Sequence, residues 1–219
     1  MRAAIARNDN STAGTLLKIL LLLTGSWAEC RLQKLLYEPN GFDDAQRQRI
    51  RAGRRQIDWW QSTVEIGFRK RYNVLQASMD SLPRTALLRY NEIIRSIDDD
   101  LNPVIEMRNT LAHGQWERPL NSECTDISSS MIATIRRENA LSARYKLTLL
   151  ERLAQCVHDL VAGNHSFERD FDTHFHQMTC TKRDLQNRDY NNWKISMLAK
   201  QERGRQKRDE QLRDLVSQT

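Results

Sequence analysis

Apolar residues recur along this chain at intervals of three and four with few breaks, a period that marks amphipathic helices. The first stretch runs from Leu16 to Thr24 and continues through Trp27, Cys30, Leu32, Leu35 and Leu36. Ser11 or Thr12 can cap it, Pro39-Asn40-Gly41 stops it after Tyr37, and the residues before Ser11 read as a frayed end. Asp43 or Asp44 caps a second helix that carries Trp59, Trp60, Val64, Ile66 and Phe68 and continues to Leu75, with a bend at Gly67. Ser81 and Pro83 open a third helix as cap and first helical residue; its stripe is Leu87, Leu88, Ile93, Ile94 and Ile97, and Asp98-Asp99-Asp100 closes it. Asn102-Pro103 then starts a short helix framed by Val104, Ile105, Met107 and Leu111.

From Gly114 to about Arg137 the period is lost. Gln115–Leu120 and Ile127–Ile135 can be extended, with a turn at Asn121-Ser122, so the pattern allows a small β-hairpin after the short helix. Helical spacing resumes near Asn139, runs to Val161 and ends at Gly163-Asn164; a shorter helix holds Phe167, Phe171 and Phe175. The fold class is therefore all-α, a helical bundle.

With 219 residues, 39% of them hydrophobic, the chain can bury one core, or one core and an appendage. Eight Gly and four Pro leave room for few loops. The charge divides the chain unevenly. Residues 181–219 hold ten Lys/Arg against six Asp/Glu, a balance of +4; the other 180 hold 24 against 22, a balance of +2. We expect a helical domain over 1–180 and a basic extension, helical or disordered, over 181–219. Such an extension raises affinity for polyanions without sequence choice.

Cys30, Cys124, Cys156 and Cys180 are scattered without a C-x-x-C pair, which favours reduced thiols in a cytoplasm-like compartment. Arg2 and Arg7 precede the Leu16–Thr24 run as a leader would require. Lys18 interrupts the run, its length is far below a membrane span, and the amphipathic pattern continues beyond it. It reads as a buried first helix, with no membrane partner. Cys156-x-His158 and His174-x-His176-x-x-x-Cys180 lack zinc-site spacing, and no Gly-rich phosphate loop occurs, so no metal or cofactor is expected.

The candidate chemistry lies at the end of the short helix, in Arg108-Asn109-Thr110-Leu111-Ala112-His113-Gly114. Gly114 is a helix-stop signal, which places His113 in the last turn. Asn109 and His113 share a helix face and can hydrogen-bond. Arg108 and His113 lie about 140° apart around an ideal helix, so one helix does not aim both at one phosphate. Spacing alone also admits Arg152 with His158, and Arg169 with His174 or His176. The Asn after Arg108 and the Ala-His-Gly ending distinguish the first.

That stretch resembles the R-N-x-x-A-H-G signature of HEPN-domain ribonucleases, and the helix order over about Thr12–Met178 is similar to that fold. The resemblance implies a homodimer that builds one cleft from two copies of the motif and cleaves RNA without a metal. The 2′-hydroxyl would attack the adjacent phosphorus, leaving a 2′,3′-cyclic phosphate. Histidine can act as acid or base, arginine offers a planar fork to phosphate oxygens, and Asn109 would orient the imidazole or bind phosphate.

A toxin or antiviral-defence effector is the role this implies, with RNA (tRNA among the candidates) as substrate and an antitoxin or regulatory protein as partner. Trp116 can stack on a splayed base, and Arg47, Arg51, Arg54 and Arg55, with Arg69-Lys70-Arg71, can track a phosphate backbone. Each also has a structural reading, Trp116 as a loop anchor and the arginines as solvated helix faces. A non-catalytic helical module that binds RNA or protein is the alternative function.

Overall fold

The computed structural model describes residues 1–121, 123, 125–163 and 165–217, so Ser122, Cys124 and Asn164 of the sequence reading lie outside it. The end expected to fray forms helix α1 (Arg2–Ala6). Ile5 is buried in a small cluster with Ala140 and Met197, against which Met1, Tyr190 and Trp193 pack. The cover comes from α8 (Ala140–Ala162) and α10 (Tyr190–Ser217), far away in the chain.

Helix α2 (Asn10–Leu35) starts just before Ser11 because Asp9 is its cap, accepting from the Thr12 amide at 3.0 Å. Its burial is one-sided. Leu21, Thr24, Gly25, Ala28, Leu32 and Leu35 are buried, whereas Ile19 is exposed and Leu23 is 58% exposed. The expectation of a buried first helix therefore holds for one face only, and by length and apolar content the helix would also span a bilayer.

The expected long second helix is two, α3 (Asp44–Arg51) and α4 (Gln56–Arg71), and α4 runs unbroken through Gly67. The break falls at residues 52–55 because side chains satisfy the backbone there. Asp58 accepts from the Arg55 amide at 3.0 Å, and the Trp59 indole donates to the Gly53 carbonyl at 2.8 Å. After a 3-10 turn at Met79–Ser81, whose cap is Ser78, α5 (Arg84–Ser96) follows Pro83 directly.

Asp98-Asp99-Asp100 does not end this helix. A π turn, Ile97–Leu101, carries it into α6 (Asn102–Ala112). Pro103 accounts for the wide turn: a proline ring has no N–H to give and collides with the carbonyl four residues back, and one extra residue in the turn relieves both. The acidic run is tied down from outside, Asp98 by Gln61 at 2.7 Å and Asp100 by Lys182 of α9 (Ser166–Gln186) at 2.5 Å. Burial raises the Asp100 carboxyl above the ordinary carboxylate range even beside that lysine.

Among the described residues there is no strand. The hairpin expected after α6 is reduced to one antiparallel bridge between Leu120 and Ile127. Its second arm is mostly helix α7 (Ser129–Arg137), because Ser128 caps the Met131 amide and Ile135 joins a buried cluster against which Met131 packs. Helix α9 crosses residue 180, and the chain turns at 187–189 before α10. Arg203, Arg205, Lys207 and Arg208 of α10 are exposed.

The main core lies where α4, α8 and α9 meet, with α2 along α6 and α8. Trp60, Phe68 and Phe167 are fully buried, and the Phe68 and Phe167 rings meet edge to face at 5.5 Å. Residues 69–71 do not present a basic track. Arg69 binds Glu65 and the Val74 and Ala77 carbonyls, and Lys70 binds the Asn40 and Gly41 carbonyls. Arg71 grips Glu168 through two bonds and donates to the Leu160 and Gly163 carbonyls at the end of α8.

Arg71 hydrogen bonds hold the Glu168 carboxyl down at about 2, against an ordinary value of 4.5. A depressed carboxylate contributes stability above its unfolded value and loses it as the pH falls through the folded one. The Tm gap between the native protein and Glu168→Gln should be widest above about pH 4.5 and close toward pH 2. A gap constant across that window would refute the linkage.

Candidate functional site

Helix α6 has a core face and a solvent face. Val104 and Ile105 join the main core, while Met107 and Leu111 join Leu21, Ile135 and Ala143 in a second cluster. The residues between them divide: Asn109 is exposed, whereas Arg108 is half-buried. Gly114, at φ +73°, takes the left-handed conformation that ends the helix, and its amide bonds to the Leu111 carbonyl at 3.1 Å. The helix end faces solvent. His113 is exposed, and its imidazole makes no hydrogen bond or ion pair among the described residues.

Arg108 is rooted against α2. A Cβ built on Gly25 would lie 2.4 Å from the Arg108 Cβ and 2.7 Å from its Cγ, so the two helices touch where only glycine fits. One turn further along α2, Glu29 accepts a hydrogen bond from Arg108 Nη2, and the side chains are 26% and 38% exposed. Arg108 Nη1 donates to Asn109 Oδ1 at 2.9 Å. Among the described residues no Asn109–His113 side-chain bond forms, and the amide oxygen is turned to the guanidinium instead. Glu29 and Asn109 hold the fork in one orientation, and Arg108 Nε is buried with no acceptor.

The arginine opens onto a groove of about 400 Å³ between α4 and α6. Its lining includes Arg54, Arg55, Trp59, Ile105, Arg108 and Asn109, so two of the four sequence-predicted arginines are gathered beside the motif. They differ in availability. Arg55 is engaged by Asp58 at 2.7 Å, a bond that keeps the Asp58 carboxyl below the usual range. The Arg54 guanidinium has no hydrogen bond or ion pair among the described residues.

Arg47 and Arg51 lie elsewhere. Both guanidinium groups sit over the exposed Tyr37 ring, at 5.2 and 5.4 Å from its centre, with Arg47 also bonded to Asp44 and the Phe42 carbonyl. They brace the turn after α2 and do not reach the groove. Trp116 is half-buried against the second cluster, its indole N–H donating to the Leu111 carbonyl at 2.8 Å. It anchors the loop to α6, in agreement with its structural reading.

The second motif candidate comes apart in three dimensions. Arg169 is exposed and doubly bonded to Asp170, whereas His174 points inward to the buried Asp159 carboxylate at 3.4 Å. Arg152 is likewise exposed, while His158 turns to Asp159 and Glu38.

Sequence reasoning missed Glu29, Gly25 and Gln56, the last lining the groove. Glu29 and Gly25 stand one helical turn apart on α2, which is consistent with a shared contact, but the partner is 79 residues away. Chemically, the groove offers one oriented guanidinium, one guanidinium without a partner among the described residues and an amide, while the exposed His113 imidazole stands at the end of the same helix, outside the groove lining. The chain matches no protein-family model, no curated protein and no solved structure.

Proposed function

We propose that the chain is a metal-independent endoribonuclease of the HEPN type, a homodimer acting as a toxin or antiviral-defence effector. The observation that carries this reading is the placement of Arg108, Asn109 and His113 in the last two turns of one helix, with the guanidinium oriented by Glu29 and the exposed imidazole uncommitted among the described residues. Arg108 binds the non-bridging oxygens of the scissile phosphate. One His113 takes the proton from the attacking 2′-hydroxyl as the O2′–P bond forms, and its dimer mate gives a proton to the 5′-oxygen as the P–O5′ bond breaks. No water or cofactor enters this step, and its products are a 2′,3′-cyclic phosphate and a 5′-hydroxyl.

The test is incubation of the purified protein with single-stranded and structured RNA in EDTA. Cleavage with cyclic-phosphate ends, and none of DNA, which lacks the attacking hydroxyl, is the expected result. Intact RNA under these conditions overturns the reading. A second reading, a non-catalytic RNA-binding module, is favoured by the exposed basic residues of α10. It predicts salt-sensitive binding that weakens on removal of 181–219, with no turnover.

A further inference from the structure

We infer that the groove between α4 and α6 binds one unstacked nucleotide of single-stranded RNA, the neighbour of the phosphate held by Arg108. This rests on the ribonuclease reading for its substrate and goes beyond it in naming the strand type and the subsite. Three observations converge. The volume, about 400 Å³, falls in the range of about 300–1,000 Å³ seen for small-ligand sites.

The lining is two-sided in character. Trp59 with Ile57 and Ile105 gives an aromatic and aliphatic wall, and Arg54, Gln56, Arg108 and Asn109 give donors. A base needs the first and its phosphate the second. Finally, the donors exceed their acceptors. Arg108 Nε and Gln56 Nε2 are buried without a partner, and Arg54 has none among the described residues. Glu29 and Glu106, the carboxylates of the groove, are already engaged by Arg108 and by Asn102 at 3.2 Å. An anionic oxygen in the groove supplies an acceptor to the exposed Arg54 guanidinium. A paired base would have to give up its pairing and stacking to reach Trp59, whereas an unpaired one does not, so the site favours single strands.

The probe is a short dye-labelled 2′-O-methyl RNA, which cannot be cut by 2′-hydroxyl attack, alone and annealed to its complement. The single strand should bind more tightly than the duplex. Trp59→Leu should weaken binding about tenfold. Arg54→Ala, at an exposed and unbonded side chain, keeps the test valid if Trp59→Leu misfolds. It should weaken binding and lower the slope of log Kd against log salt by about 0.7.

Equal binding of duplex and single strand, native-like binding by the groove variants, or no binding at all overturns the inference. The two readings fail separately. Groove-dependent binding without RNA cleavage leaves the subsite standing and removes the nuclease, whereas cleavage with an unchanged KM in Arg54→Ala and Trp59→Leu does the reverse.

Discussion

His113→Ala is expected to lower RNA cleavage by about 10²–10⁴-fold, the usual scale for loss of a general acid or base, without changing Tm. The side chain is exposed and bonds to nothing among the described residues, and Gly114 still ends the helix. No packing or polar satisfaction is lost with it. Rate measurements in EDTA alongside thermal unfolding separate chemistry from folding. Cleavage at the native rate by a folded His113→Ala protein would remove the imidazole from the mechanism. Arg108→Ala is a less clean probe, because it strips Glu29 of its partner and opens space over Gly25. Arg108→Lys keeps the charge and loses the planar fork.

Gly25→Ala should be destabilising by about 1–3 kcal/mol, the cost of forcing a methyl into a filled contact. Each kcal/mol lowers Tm by roughly 2–4 °C in a domain of this size. The added Cβ would meet the Arg108 stem at 2.4 Å and the Val104 carbonyl at 3.3 Å, so α2 and α6 must part. Catalysis should fall as well, since a displacement of about 1 Å at a positioning contact can cost about 10²-fold. Gly14 on the same helix is the control, with nothing within 4 Å of its would-be Cβ. Gly14→Ala should be neutral or stabilising, by up to about 1 kcal/mol. Equal Tm values for the two variants would show that the α2–α6 contact is loose.

What could be read from the sequence follows from the range of the interaction responsible. Helices α6 and α8 were legible because their apolar stripes repeat locally and Asn139 and Gly114 mark their ends. Helix α5 was legible only in part, since Leu88 of its expected buried stripe is 59% exposed and a π turn carries the chain past Asp98-Asp99-Asp100. The exposed side of α6 was legible too, once Val104, Ile105, Met107 and Leu111 were assigned to the core. Helix α1 was not, because Ile5 is buried by Met197 from the other end of the chain. Neither was Glu29, which meets Arg108 across the bundle. The Arg69–Arg71 run resembled a polyanion track, since composition cannot tell a solvated cation from one capping distant carbonyls. Arg54 and Arg55 reached the groove while Arg47 and Arg51 did not, because the break at 52–55, closed by Asp58 and Trp59, redirects the chain between them.

The π turn before α6 sets the rotational phase of everything after it. A helix advances about 100° per residue, and the Ile97–Leu101 turn holds one residue more than an α-helical turn. Deleting Asp99 and tightening the turn to ordinary α geometry would leave the later bearings unchanged. Deletion with the wide turn kept would give each later side chain its predecessor's bearing. Arg108 would then be directed into the site of Met107, which is 2% exposed. A guanidinium would be driven among leucines, and the cleft would lose its cation.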